Sequence, residues 1–209
     1  MKKLILTVSL ALALTMAASA NGNEVSRAKT LVAYFSFPID GGKEALDATS
    51  GASVTIKDGR HYGNAQFIAM TVADTLGESA DLFEIDTGDH YPRDYKRIFN
   101  ATQGEQRKNV RPKLLKRVQN MARYDKIVIV CPVWWYKMPL AVQSFLDEYD
   151  LSGKTIYLSV THGGSRSAGI EREIAAAEPN ATVSRNMLVL SRNDTAKSEQ
   201  KIKDWAKTL

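Results

Sequence analysis

Five short apolar runs rich in strand-forming residues, each followed by a stretch with helical spacing, constrain this chain more than any other feature. The runs are Lys29–Ser36, Asp81–Ile85, Lys126–Val130, Lys154–Val160 and Val183–Leu190. Lys126–Val130 (KIVIV) is the most continuous β-branched run. Between and after them, Asn64–Leu76, Tyr91–Asn109, Pro112–Tyr124, Pro139–Tyr149, Ala168–Ala177 and Ala196–Lys207 read as helical. Pro112 stands where a helix can begin without wasting an N–H. Strands that are apolar throughout, rather than alternately, belong to a parallel sheet covered on both faces by helices. The expectation is an α/β fold with a doubly wound, five-stranded parallel sheet. Right-handed crossovers leave few ways to assemble it, and ligands then bind beyond the carboxyl ends of the strands.

The remainder of the composition is that of an ordinary folded domain, 44% hydrophobic and 24% charged. The first twenty residues stand apart. Lys2 and Lys3 precede an apolar run, Leu4–Ala18, and Ala18-Ser19-Ala20 has the small-x-small pattern of a cleavage site. This reads as a signal peptide over 1–20, followed by a flexible stretch over 21–28 and one domain over 29–209. The protein is then expected to be exported, periplasmic or secreted. No later run is long and apolar enough for stable membrane insertion. The formal charge of +5 includes Lys2 and Lys3, and is +3 without them. The densest basic cluster is Arg107, Lys108, Arg111, Lys113, Lys116 and Arg117, either a solvated helix face or a docking patch for an acidic partner. So mild an excess gives nucleic-acid binding little support. With a single cysteine, Cys131, no internal disulfide can form.

Three loops at strand ends carry chemistry. After the first strand, Ser36 offers a hydroxyl, and Tyr62-Gly63-Asn64-Ala65 opens the first helix. A helix N-terminus with a nearby hydroxyl suits a phosphate, with Gly63 permitting close approach and Asn64 able to cap. The intervening Phe37–Arg60 is a long Gly- and Ser-rich segment, a candidate lid. After the third strand comes Cys131-Pro132-Val133-Trp134-Trp135-Tyr136, whose adjacent aromatics can wall a planar ring or cover the helix behind them. After the fourth comes Thr161-His162-Gly163-Gly164-Ser165, where glycines expose backbone N–H groups. His162 is a candidate proton donor without a visible carboxylate partner. Neither a nucleophile elbow nor a metal-ligand cluster is present, which disfavours a hydrolase.

These motifs resemble the flavodoxin-like superfamily, among its members those with a Pro-x-Trp-Trp loop and a Thr-His-Gly-Gly-Ser loop. The resemblance runs from about Thr30 to the C-terminus and implies strand order 2-1-3-4-5, non-covalent FMN and electron transfer. It places Ser36, Tyr62, Gly63, Asn64 and Ala65 around the phosphate. Pro132, Val133, Trp134 and Trp135 would flank the ring, and Thr161, His162, Gly163 and Gly164 its other edge. Two departures stand out: Ser36 and Gly63 are separated by a long insertion, and Ala65 replaces the customary Thr. The leading expectation is an FMN-dependent electron carrier or small reductase. Its partner would be a redox protein or small-molecule acceptor that the sequence does not name. The alternative is a non-catalytic binding module that has lost tight FMN binding.

Overall fold

The computed structural model describes residues 29–38 and 54–209. The expected leader, the segment 21–28 and most of the candidate lid lie outside the described residues. Strand β1 (Lys29–Tyr34) is followed by a hairpin, β2 (Val54–Lys57) and β3 (Arg60–Gly63). Then come α1 (Asn64–Leu76), β4 (Ala80–Glu84), α2 (Tyr95–Lys108), β5 (Tyr124–Pro132), α3 (Leu140–Asp147) and β6 (Thr155–His162). The chain closes with α4 (Ile170–Ala177), β7 (Thr182–Val183), β8 (Leu188–Ser191) and α5 (Glu199–Ala206). The main sheet runs β4-β1-β5-β6, with β7 and β8 sharing the far edge of β6, and every pair is parallel. With the hairpin set aside, this is the expected doubly wound 2-1-3-4-5 order.

Alternation within the strands divides the core in two. Leu31, Ala33, Ile127 and Ile129 face one side, where they meet Phe145 of α3 and Ile170 and Ile174 of α4. Val32, Val128 and Val130 face the other, against Ile68 and Val72 of α1 and Ile202 and Trp205 of α5. A period of two thus supplies both faces of a sheet that helices cover on each side. Among the described residues, no helix is long and apolar enough to cross a membrane.

Four sequence expectations need correction. Residues 112–120 form no helix; only a short 3-10 turn, Met121–Arg123, is helical within Pro112–Tyr124. Leu114 is buried, yet Leu115 N donates to Asp86 O and Val118 N to Tyr149 Oη, so tertiary partners outbid intrahelical ones. The basic cluster therefore lines a strap, with Lys116 paired to Asp86, Arg117 to Glu148 and Arg111 to Asp147. Helix α2 starts at Tyr95 rather than Tyr91, because Tyr91 precedes a proline and is extended, and Asp94 caps by accepting from Arg97 N at 2.8 Å. The fifth strand is split: Ser184 N still donates to Ile156 O of β6 at 2.8 Å, but Ser184 Oγ accepts from Asn186 N and the polar Arg185-Asn186 leaves the ladder. Last, the end of the expected lid is the β2–β3 hairpin. Its Asp58-Gly59 turn has φ of 50° and 73°, the two left-handed residues that a tight hairpin requires.

Strand β5 also reaches further than its apolar run, so Cys131 and Pro132 are strand residues. Cys131 is fully buried in the first core, and burial, with Glu173 nearby, pushes its thiol up.

Candidate functional site

The loops leaving β1, β5, β6 and β8 gather at one edge of the sheet, beside the point where strand order reverses. Phe35 N donates to Val130 O at 2.9 Å and carries Ser36 to the edge. The Ser36 Oγ is buried and has no hydrogen-bond partner among the described residues. Gly63, the N-cap of α1, packs directly on it. A Cβ at Gly63 would lie 2.0 Å from Ser36 Oγ, 3.1 Å from Ser36 Cβ and 3.3 Å from Pro38 Cδ. Glycine is needed here for space, since its φ of −66° suits any residue. The first turn of α1 carries no acidic side chain, which suits an anion, while Glu84 and Asp86 line the cavity beside Ser36 together with Arg93.

The residues after Gly63 do different work from that expected. Asn64 does not cap the helix: its Oδ1 accepts from Thr55 Oγ1 at 2.6 Å and its Nδ2 donates to Arg192 O at 3.4 Å. It ties the hairpin to the loop after β8. Ala65 turns its methyl into the second core, and the Tyr62 ring rests on Phe67 with centroids 6.1 Å apart. The N–H of Gly63 is taken by Gln66 Oε1 at 3.1 Å.

The aromatic loop is a tight hairpin. Trp134 and Lys137 exchange backbone hydrogen bonds of 3.1 and 2.9 Å, with Trp135 and Tyr136 between them at φ of 56° and 57°. Two bulky side chains in the left-handed region are strained, and such strain persists only when the surroundings impose it. The surroundings are specific. Trp134 meets Phe35 and Tyr91 edge-on at 5.1 and 5.3 Å. Trp135 lies 4.3 Å from the Phe99 ring, and its Nε1 donates to Thr102 Oγ1 at 3.0 Å. Met138, just past the turn, donates from its N to Glu173 Oε2 and accepts at its O from Gln106 Nε2, both at 3.1 Å. Trp134 reaches the core, while Tyr136 stands 76% exposed.

Opposite lies the end of β6. Val133 N donates to Thr161 O at 2.9 Å, locking the two loops together. His162 Nδ1 accepts from Gly164 N at 2.9 Å, which leaves the proton of the neutral ring on Nε2. Burial lowers the His162 pKa, Arg166 lowers it further, and Asp194 opposes them.

Between these loops is a cleft of about 450 Å³, lined by Pro132–Tyr136, Thr161–Ser165 and Arg192. It brings together the expected Pro132, Val133, Trp134, Trp135, Thr161, His162, Gly163 and Gly164. Ser36 opens instead into a second cavity of about 240 Å³, which Gln66, Asp86 and Arg93 also line. Tyr62, Gly63, Asn64 and Ala65 line neither; Gly63 reaches the site through Ser36, and Asn64 through Arg192. Arg192, Tyr136 and Ser165 were not among the expected site residues. Arg192 is the first residue after β8 and stands in no sequence motif. Among the described residues, no group of His, Cys, Asp and Glu could hold a metal ion. The arrangement offers an anion-favouring helix end, an orphaned hydroxyl, and a cleft sized for a small planar ligand.

Residues 29–209 match the model of the flavodoxin family. Among solved structures, a candidate flavoprotein from Bacteroides eggerthii is similar, with a TM-score of 0.62 and 23% identity, over 86% of this chain and 96% of that one. Another from Bacteroides uniformis has a TM-score of 0.59 and 22% identity, over 86% and 98%. A flavoprotein in complex with FMN from Lactobacillus acidophilus has a TM-score of 0.56 and 15% identity, over 83% and 99%. No curated protein matches. At these identities the solved structures speak for the fold, and the family match over the whole described domain makes this chain a member of the flavodoxin family.

Proposed function

We propose that the protein binds FMN non-covalently and serves as an exported redox protein, either an electron carrier or a small reductase. One observation carries this reading: the buried Ser36 hydroxyl, left without a partner at the N-terminus of α1, sits on the same sheet edge as the cleft. A phosphate would complete that hydroxyl, and a hydrogen bond to a charged group is worth about 1.5–3 kcal/mol. Ser36 and the backbone N–H groups of Asn64 and Ala65 would hold the phosphate, with Gly63 leaving room for the Ser36 hydroxyl. Pro132, Val133, Trp134 and Trp135 on one side, and Thr161, His162, Gly163 and Gly164 on the other, would hold the ring. FMN, when bound, supplies one- and two-electron transfer. The chain's own part is to exclude water with its aromatic loop, to orient the ring, and to present the Nε2–H of His162 as a donor. Export rests on the leader-like segment 1–20. The bound FMN in the Lactobacillus acidophilus relative supports the choice of cofactor.

A second reading has its own observation. Ala65 offers only a methyl, and the Asn64 amide is already engaged by Thr55 and Arg192, so neither lends its side chain to a phosphate. That favours a binding module without tight FMN. Expression from Asn21 onward and a visible spectrum, taken as purified and after adding FMN and desalting, separates the two. Retained flavin bands with quenched fluorescence support the redox protein. Protein that comes through desalting colourless abandons it for the binding module.

A further inference from the structure

Among the described residues, Arg192 is the permanent cation lining the cleft, and no carboxylate lines it. Its backbone is held from two sides. Arg192 N donates to His162 O at 2.9 Å, and its O accepts from Asn64 Nδ2. The side chain then crosses the loop after β6: a Cβ on Gly163 would lie 3.4 Å from Arg192 Nη1 and 3.5 Å from Cζ. Among the described residues, the guanidinium has no ion-pair partner. A half-buried, backbone-anchored guanidinium facing a cleft without carboxylates is a site for an anion, and a planar fork suits a planar one.

We propose that Arg192 makes this cleft select the reduced, anionic state of its flavin over the oxidised state. The inference rests on the FMN reading above. Two-electron reduction with uptake of one proton leaves one negative charge delocalised over the isoalloxazine ring, whereas the oxidised ring is neutral. The phosphate is common to both states, so a cation in the ring cleft discriminates between them and the phosphate site does not. Charge placed near the reactive ring is one of the means by which a protein tunes its cofactor. Here the sign favours accepting and holding electron pairs.

The test is anaerobic calorimetric titration of the flavin-free protein with oxidised FMN and with dithionite-reduced FMN, in mildly alkaline buffer. It compares wild type, Arg192→Met and Arg192→Lys. The Met variant keeps the length of the stem and every backbone bond of Arg192, and circular dichroism verifies its fold. Wild type is expected to bind reduced FMN more tightly than oxidised FMN. Arg192→Met is expected to weaken reduced FMN by about tenfold to a hundredfold, with oxidised FMN little changed. Arg192→Lys recovers part of the loss, as charge without the fork should. Equal weakening of both states, or no change in either, overturns this inference and leaves the FMN reading standing. Wild type that binds neither state overturns both.

Discussion

The two halves of the candidate site are finished to different degrees. The half after β5 and β6 is cross-braced. Thr102 and Gln106 of α2, Glu173 of α4 and the Val133–Thr161 bond hold a turn that its own sequence disfavours. The half at Ser36 has close packing but an unpaired hydroxyl, and Asn64 beside it turns away to grip the hairpin. On the FMN reading, the ring pocket stands preformed while the phosphate end is completed by the ligand. Preorganisation favours binding in the first half, and an orphaned polar group favours it in the second.

The largest effect expected from challenging this contrast is at Trp134. Replacing it with Ala removes the ring that joins Phe35 to Tyr91, and should cost about 3 kcal/mol, the low end for such a change because the ring is half-buried. Calorimetry should show Tm falling by roughly 10 °C without any ligand present. A shift within error would mean the brace is not where the structure places it.

Ser36→Ala probes the other half and should behave oppositely. The flavin-free protein should keep its stability within about 0.5 kcal/mol, since the hydroxyl has no partner among the described residues. FMN affinity should drop by about tenfold or more, read by fluorescence quenching. If stability fell and affinity held, the two halves would have exchanged roles.

Why these halves were unequally readable follows from particular residues. Helix α1 was legible to the residue, because Gly63 and Gly77 bracket an apolar pattern with one period. Strand β5 was legible because β-branched residues in sequence fit only a strand buried on both faces. Residues 112–124 were misread because Leu114, Val118 and Met121 are spaced for a helix as well as for a strap. The decision lay in Asp86 and Tyr149, distant in sequence. The hairpin did carry its signal, Asp58-Gly59, but inside a stretch whose composition reads as loop. The site loops after β1, β5 and β6 were visible as motifs. Arg192 was not, since a lone arginine after a strand has no pattern until the sheet places it beside Gly163.

Smaller effects sharpen the contrast further. Thr102→Val strips the acceptor from Trp135 Nε1 and should cost about 1 kcal/mol, with a red-shifted tryptophan emission as the turn loosens. The smallest effect concerns the hairpin. Glu199 bonds Lys203 of α5 and Lys57 of β2, and these hold its carboxyl down at about 2, against an ordinary 4.5. A depressed carboxylate stabilises above its unfolded value and loses that contribution as pH falls through the folded one. The Tm difference between wild type and Glu199→Gln should therefore be full at neutral pH and shrink between 4.5 and about 2. A difference that stays constant across that window would show the strut contributes nothing.

Cys131 is the penultimate residue of β5, the sheet's middle strand, with none of its surface reachable by solvent. An alkylating reagent can meet its sulfur only when the core between the sheet and its covering helices opens. The rate of labelling at saturating reagent is then the rate at which the domain opens, and at low reagent it reports how often the domain stands open. With one thiol in the chain, a single mass increment counts those events, so the protein carries its own stopwatch for unfolding, and bound FMN should slow it.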